Sequence, residues 1–289
     1  MRILRLSLLC GLALCAAPSP AQDSAASVMQ SLKPQSGDIE LPGGIAQLRL
    51  NDAFRYLKPD DTQKLLEQVW GNPPGSGADT LGMIIPAGGD AAADNGWGVI
   101  VTYNQDGHVS DKDANQIDYA DLLKTMQKAA ADQNDERAKQ GFPTVQLLGW
   151  AEPPHYDASA HKIFWAKDLS FGDQQHRTLN YFVRVLGREG VLELNAVAGI
   201  DQLEQVRRDM NKVMGMADFK QGNRYADFNQ STDKLAAYGL AALVAGGVAA
   251  KTGLLAKVLA IAFAAKKFLV LILAGVAGMF GKFFKRRNN

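Results

Sequence analysis

Cysteine is nearly absent from this chain of 289 residues, which holds only Cys10 and Cys15. Both lie in an apolar run over residues 6–17 that follows two arginines and ends at two prolines, an arrangement typical of a secretory signal peptide. Small residues just before Gln22 predict cleavage after residue 21, so residues 1–21 are predicted to be removed. The remaining chain would then have no disulfide, no thiol nucleophile and no thiolate metal ligand.

Acidic residues are missing from both ends of the chain. All 30 lie within residues 22–234, and ten of the 31 basic residues lie outside that segment, so its net charge is −9. The acidic middle has no basic stripe interleaved with aromatic residues, which argues against nucleic acid as a partner. Patterns of the nucleophile elbow, the dinucleotide-binding turn and the P-loop are also missing, so the sequence leads us to expect no cofactor.

The end of the chain, residues 235–289, combines two apolar runs with eight basic residues. The runs are Leu235–Ala250 and Phe268–Gly281, and each is shorter than the roughly 20 residues that a membrane span needs. Lysine side chains at the edge of a run can reach the membrane surface and so lengthen it. We therefore predict a membrane anchor, either one span near Tyr238–Ala256 followed by a basic amphipathic helix, or a two-helix hairpin.

The charge distribution also predicts where each part of the chain lies. A signal peptide would export the middle segment, and the positive-inside rule would leave the basic C-terminal tail in the cytoplasm. We therefore expect a protein of the bacterial inner membrane with a periplasmic main domain, whose partners are the lipid bilayer and a protein of the cell envelope. Gly239, Gly246 and Gly247 would let a second helix approach closely, so a homo-oligomer is a further expectation.

The exported part is predicted to begin with a flexible leader over residues 22–37, which are rich in alanine, serine, glutamine and proline. Residues 38–234 then form the domain itself. Helical spacing predicts a helix over Asp118–Lys139, where Asp118 is a helix cap with an acid following in the first turn. The domain is either one unit or two lobes divided near residue 142.

Alternating apolar residues predict three consecutive strands in the second half of the domain. These are Lys162–Ser170, Thr178–Leu186 and Val191–Val197, and the glycines of Gly187–Gly190 suit a hairpin turn between the last two. Strands and helices mix without a strict βαβ rhythm. The predicted fold class is therefore α+β, a mainly antiparallel sheet with flanking helices, followed by the C-terminal membrane helix or hairpin.

One segment, Gly149–Asp157, concentrates groups that could carry out chemistry around two prolines. Glu152 or Asp157 could orient His155 as a general base, and these three are the candidate catalytic residues. His155, Asp157 and His161 are also of the types that bind metals. The alternative is a rigid surface turn without chemistry. We favour a non-enzymatic binding or assembly module, with a hydrolase or metal-dependent enzyme at this segment as the alternative.

Several blocks of the sequence resemble one bacterial family. The blocks are Trp70–Pro74, Val109–Ala114, Gly149–Asp157, Asn180–Arg188 and Arg224–Phe228. Together they are similar to the membrane-anchored family known as domain of unknown function 2167, from about residue 38 to the C-terminal helices. The resemblance implies an envelope membrane as the location, and it implies no activity and no site residue. The order of three antiparallel strands and a closing helix is also similar to small PsbP-like sandwiches, in architecture only.

Overall fold

A computed structural model describes residues 20–172 and 177–246. These ranges hold five α-helices: α1 (Pro20–Ser31), α2 (Pro59–Lys64), α3 (Tyr119–Lys139), α4 (Leu203–Met216) and α5 (Leu240–Ala245). They also hold twelve strands: β1 (Gly37–Glu40), β2 (Ala46–Leu50), β3 (Phe54–Leu57), β4 (Thr80–Pro86), β5 (Gly98–Asn104), β6 (His108–Ser110), β7 (Val145–Asp157), β8 (Lys162–Phe171), β9 (Arg177–Leu186), β10 (Val191–Gly199), β11 (Ala217–Phe219) and β12 (Leu235–Gly239).

Seven of the strands form one central antiparallel sheet, in the order β3-β4-β5-β10-β9-β8-β7. Strands from both sides of residue 142 neighbour each other in it, so the two-lobe alternative is wrong. The predicted hairpin between β9 and β10 is confirmed. Leu186 pairs with Val191, and the Gly187 N–H donates to the Gly190 carbonyl within the turn. The predicted α+β class with a mainly antiparallel sheet is confirmed as well.

One face of the central sheet is covered by α4 and by a second sheet of order β1-β2-β11. In α4 the buried residues are Val206, Met210 and Val213, which recur at helical spacing and form one apolar stripe. They pack with fully buried residues of the sheet such as Tyr181 and Leu194. This layer is the main hydrophobic core.

The opposite face of the sheet has two separate covers. The first consists of α1 with the next residue Leu32, of α2, and of the helical turn Leu65–Val69. Leu32, Leu65 and Leu66 lie over Leu57, Met83 and Ile85 of β3 and β4. The second is α5 with the parallel pair β6–β12, which packs on Ile163, Trp165 and Val191 of β8 to β10. The middle of this face lies between the two covers.

The predicted flexible leader, residues 22–37, is wrong over most of its length. Residues from Pro20 to Ser31 form α1, and Val28 and Met29 pack with Leu32 into the first cover. The apolar contacts of Val28, Met29 and Leu32 provide the free energy that orders this segment. The predicted signal peptide, residues 1–21, falls outside the described residues except for its last two.

The predicted membrane anchor begins inside the folded domain. In the predicted span Tyr238–Ala256, the first residues belong to β12 and α5, and Leu240, Leu243 and Val244 are buried in the second cover. Gly246 ends α5 with a φ of 110°, a left-handed conformation that favours glycine. Residues 247–289 lie outside the described part. Among the residues described, no helix is long and apolar enough to cross a membrane.

Candidate functional site

The predicted catalytic segment Gly149–Asp157 is a strand and not a turn. It forms most of β7, which lies at the edge of the central sheet. The pairing with β8 shifts register between Glu152 and His155, so Pro153 and Pro154 lie in an irregular stretch. An edge strand tolerates proline there because one side of its backbone needs no partner strand.

The three candidate catalytic side chains have separate structural roles. Glu152 accepts a hydrogen bond from Arg207 of α4 at 2.8 Å. His155 is exposed and packs against Phe164, with 5.1 Å between ring centroids. Asp157 accepts bonds from Ser159 N–H at 2.9 Å and from its hydroxyl at 2.7 Å, which stabilises the β7–β8 turn. These hydrogen bonds engage Glu152 and Asp157 with groups other than His155.

The third predicted metal ligand, His161, belongs to a different cluster from His155 and Asp157. In the part of the chain that the structure describes, no three His, Cys, Asp or Glu side chains are placed to hold a metal ion. His161 instead lines a pocket of about 420 Å³. We call this cavity the His161 pocket; its wall includes Gln47, Arg49, Ser159, Val185, Asp218, Phe219, Arg224 and Tyr225.

The backbone of His161 is held in an unusual conformation. Its φ of 50° is the only positive value at a non-glycine position in the described ranges. A left-handed residue with a side chain costs roughly 1–2 kcal/mol, so surrounding contacts must hold it in place. The ring stacks on Tyr225 with 4.2 Å between centroids, and the His161 carbonyl accepts from the Leu186 N–H at 2.9 Å.

A hydrogen-bond network orients the His161 ring. Tyr156 donates its hydroxyl to Asp111 Oδ2 at 2.6 Å, and the same hydroxyl oxygen lies 3.3 Å from His161 Nδ1. Because the single hydroxyl proton goes to Asp111, the oxygen accepts from His161, which places a proton on Nδ1. Nε2 is then the basic nitrogen of the neutral ring.

The shifted pKa values of Tyr156 and Asp111 agree with Tyr156 as the donor and Asp111 as the acceptor. Burial raises the pKa of the Tyr156 hydroxyl, and the bond to Asp111 raises it further, so Tyr156 stays protonated. Burial also opposes ionisation of Asp111, but hydrogen bonds from Tyr156 and Tyr225 outweigh it and the pKa of Asp111 is lowered. Asp111 is therefore a carboxylate at neutral pH, 3.7 Å from His161 Nδ1.

Four aromatic rings form a continuous stack behind the pocket. Successive centroids of Phe228, His108, Tyr225 and His161 are 3.9, 4.2 and 4.2 Å apart. His108 is buried, and burial lowers the pKa of its imidazole, so it packs as a neutral ring. The stack fixes residues 225–228 against β6 and gives the pocket a rigid rear wall.

The charge on the pocket wall is positive. Asp218 is paired with Lys162 at 3.1 Å, and the Lys162 ammonium also donates to the carbonyls of Met214 and Ala217. Arg49 and Arg224 add two exposed guanidinium groups. With the one carboxylate matched by Lys162, the two arginines favour an anionic group in the pocket.

Sequence reasoning missed Asp111, Tyr156 and Tyr225 as site residues. No motif marks Asp111 in the sequence, because the acidic residues around it do not have the spacing of a calcium-binding loop. A usable signal was present in the blocks that carry the family resemblance. The blocks Val109–Ala114, Gly149–Asp157, Asn180–Arg188 and Arg224–Phe228 all supply residues to the network or the pocket wall.

Comparison with known proteins gives the family. The sequence profile of DUF2167, described as a protein of unknown function, matches residues 33–277, which is most of the chain. The chain belongs to the DUF2167 family. This confirms the resemblance found in the sequence blocks, and the family description assigns no activity. No curated protein matches this DUF2167 chain.

Two solved structures show a distant similarity to this DUF2167 chain. Cyanobacterial PsbP from Synechocystis is 11% identical, with a TM-score of 0.34, and the match covers 66% of this chain and 93% of that one. The Ran-binding protein Mog1p of Saccharomyces cerevisiae is 8% identical, with a TM-score of 0.35, covering 69% of this chain and 100% of that one. At these TM-scores, neither similarity bears on what the protein does.

Proposed function

We propose that this chain is a membrane-anchored protein of the bacterial envelope, whose folded domain binds a partner that carries an anionic group in the His161 pocket. The observation that carries the proposal is the pocket wall: Arg49, Arg224 and an oriented His161 surround about 420 Å³. Its one carboxylate, Asp218, is already paired with Lys162. A phosphate or carboxylate group of a partner would complete the charge balance.

The proposed location rests on the ends of the sequence. Residues 1–21 have the layout of a signal peptide, and residues 235–289 combine apolar runs with eight basic residues. We infer that the bilayer of the inner membrane is one partner, with the domain in the periplasm and the tail in the cytoplasm. The apolar run continues directly from α5, so the domain would lie close to the membrane surface.

A binding role is favoured over a hydrolase at Glu152, His155 and Asp157. Glu152 is engaged by Arg207, and Asp157 by the turn at Ser159. General base catalysis would require one of these carboxylates to orient His155. A second protein of the envelope that presents an acidic or phosphorylated group therefore remains the proposed partner.

The test is phosphate binding by the full chain in detergent, measured by calorimetry with inorganic phosphate as the probe. The double variant Arg49→Gln with Arg224→Gln is expected to weaken binding at least tenfold, since charge-assisted bonds contribute more than about 1.4 kcal/mol. The control is Arg208→Gln, an exposed arginine of α4 outside the pocket. Equal affinity in the wild type and the double variant would overturn the proposal.

A further inference from the structure

The face of the central sheet that carries two covers has a middle strip between them. Strand pairing aligns three rows of side chains across β5, β10, β9 and β8 on this face. The partly exposed members are Ile100, Thr102, Lys167, Asn180, Phe182, Glu193, Asn195 and Val197. We call these residues, with the buried Arg184 beside them, the open strip.

Two cations and one carboxylate lie at one end of the open strip. Arg184 is 6% exposed and donates to Glu193, which also accepts from Asn104. Lys167 is the second cation, and its ammonium lies 5.0 Å from the ring centroid of Phe182. The guanidinium carbon of Arg184 lies 5.9 Å from the same ring. Glu193 balances Arg184, and among the described residues no carboxylate balances Lys167.

The same end of the strip holds buried polar atoms without hydrogen-bond partners. Arg184 Nε, Trp165 Nε1 and Asn195 Oδ1 have none within the described part of the chain. These residues are close together, since the Arg184 guanidinium lies 5.3 Å from the Trp165 ring and Trp165 stacks on Phe182 at 5.1 Å. Two of these atoms, Arg184 Nε and Trp165 Nε1, are donors, and a bound acceptor would recover the free energy that burying them without a partner costs.

Toward β10 and β5 the strip holds two apolar residues, beside the polar Thr102 and Asn195. Val197 lies in the same row as Lys167, and Ile100 in the same row as Phe182 and Trp165. Beyond Ile100 the face continues to Met83 and the first cover. The strip therefore combines cations on β8 and β9 with the apolar residues Val197 and Ile100 on β10 and β5.

We propose that the open strip binds a long-chain carboxylate, an apolar chain that ends in one negatively charged group. The carboxylate would accept from Arg184 Nε and balance Lys167, and the chain would cover Val197 and Ile100. A small hydrated anion would leave Val197 and Ile100 in water, and a neutral chain would leave Lys167 unbalanced. The site shares no residue with the His161 pocket, so it is independent of the proposed function.

The test measures tryptophan quenching by a dibrominated stearate in the full chain, held in phosphatidylcholine nanodiscs. All four tryptophans lie between residues 70 and 165, so the signal comes from the domain. Saturable quenching is expected, and most of it is expected to disappear in Trp165→Phe. The methyl ester of the same acid is the uncharged control, and it is expected to quench only at much higher concentration.

Variants of Lys167 separate recognition of the carboxylate from binding to an apolar surface. Lys167→Met is expected to raise the half-saturating concentration at least tenfold, whereas Lys167→Arg retains binding. Lys128→Met, on the exposed side of α3 beside Asp132, is the matched control and is expected to behave as wild type. Equal quenching by acid and methyl ester, or unchanged affinity in Lys167→Met, would overturn the proposal.

Discussion

Single acidic residues of one short segment tie distant parts of the chain together. Asp106 accepts from the Tyr238 hydroxyl at 2.9 Å, and Asp113 accepts from the N–H groups of Leu240 and Ala241. Asp113 lies so close to Gly239 that a Cβ there would be 2.6 Å from its Oδ2. Gly239, one of the three glycines predicted to serve helix association in the membrane, is therefore required because a side chain at this position would clash with Asp113.

Asp111 also joins distant parts of the chain, through its hydrogen bond from Tyr156. Its substitution is expected to change how the stability of the fold depends on pH in acid. Its folded pKa is below its ordinary value of 3.8, so the stability it contributes is present above that pH and is lost as the pH falls further. Asp111→Asn is expected to cost about 1 kcal/mol at pH 7 and to flatten the fall of Tm below pH 4. Thermal unfolding from pH 2 to 7 checks this, with the exposed Asp135→Asn as control. An unchanged acid profile would contradict it.

Lys167 is expected to destabilise the chain at neutral pH when no ligand is bound. Burial and the nearby Arg184 lower its pKa from 10.5 to about 8. The unfolded chain then binds more protons between these values, so wild-type stability rises with pH across that interval. Lys167→Met is expected to be more stable by about 1–3 kcal/mol at pH 7. Urea midpoints should differ most below pH 8 and converge near pH 10.5; a variant less stable at pH 7 would be the opposite result.

At the scale of elements, strands with a regular period of two were the most predictable. The predicted strand Thr178–Leu186 is β9 within one residue, and Asp118 caps α3 through the N–H groups of Ala120 and Asp121 as predicted. In β7, two prolines hid a strand because proline usually excludes a central strand. The segment is an edge strand, a property set by the whole sheet and not by local sequence.

The contact of α3 with the exposed edge of β7 could not be predicted from the periodicity of the sequence. The side chain of Asn134 in α3 accepts from the Val145 N–H and donates to the Val145 carbonyl, and Gln127 donates to the carbonyls of Leu147 and Leu148. These bonds occupy backbone groups that another strand would otherwise pair with. The His161 pocket was missed for the same reason, since Asp111 and Tyr156 are far apart in sequence and meet only through the fold.

The elements β12 and α5 are expected to be necessary for the domain. A chain ending at residue 234 loses the side chains of Leu240, Leu243 and Val244, each of which contributes about 1.5–3 kcal/mol when buried. A fragment of residues 22–246 is expected to unfold cooperatively in urea, and one of residues 22–234 at a much lower midpoint. Tryptophan fluorescence reports both transitions. Equal midpoints would show that the second cover is dispensable.

At the scale of the whole molecule, the proposed membrane anchor would follow the folded domain directly. The described domain reaches residue 246 without a linker, and the chain then continues into the apolar and basic residues that predict the anchor. Part of the apolar run is used by the domain, because α5 is buried and Gly246 ends it. A single span would therefore have to begin later than Tyr238.

The predicted topology can be tested because both native cysteines lie within residues 1–21. After cleavage of that segment, one introduced cysteine would be the only thiol in the chain. In intact spheroplasts, a membrane-impermeant maleimide is expected to label Gln105→Cys, in an exposed loop, but to label Asn288→Cys only after lysis. Labelling of both before lysis would replace one crossing with the two-helix hairpin. Protection of Gln105→Cys would contradict export of the domain, and with it an envelope partner for the His161 pocket.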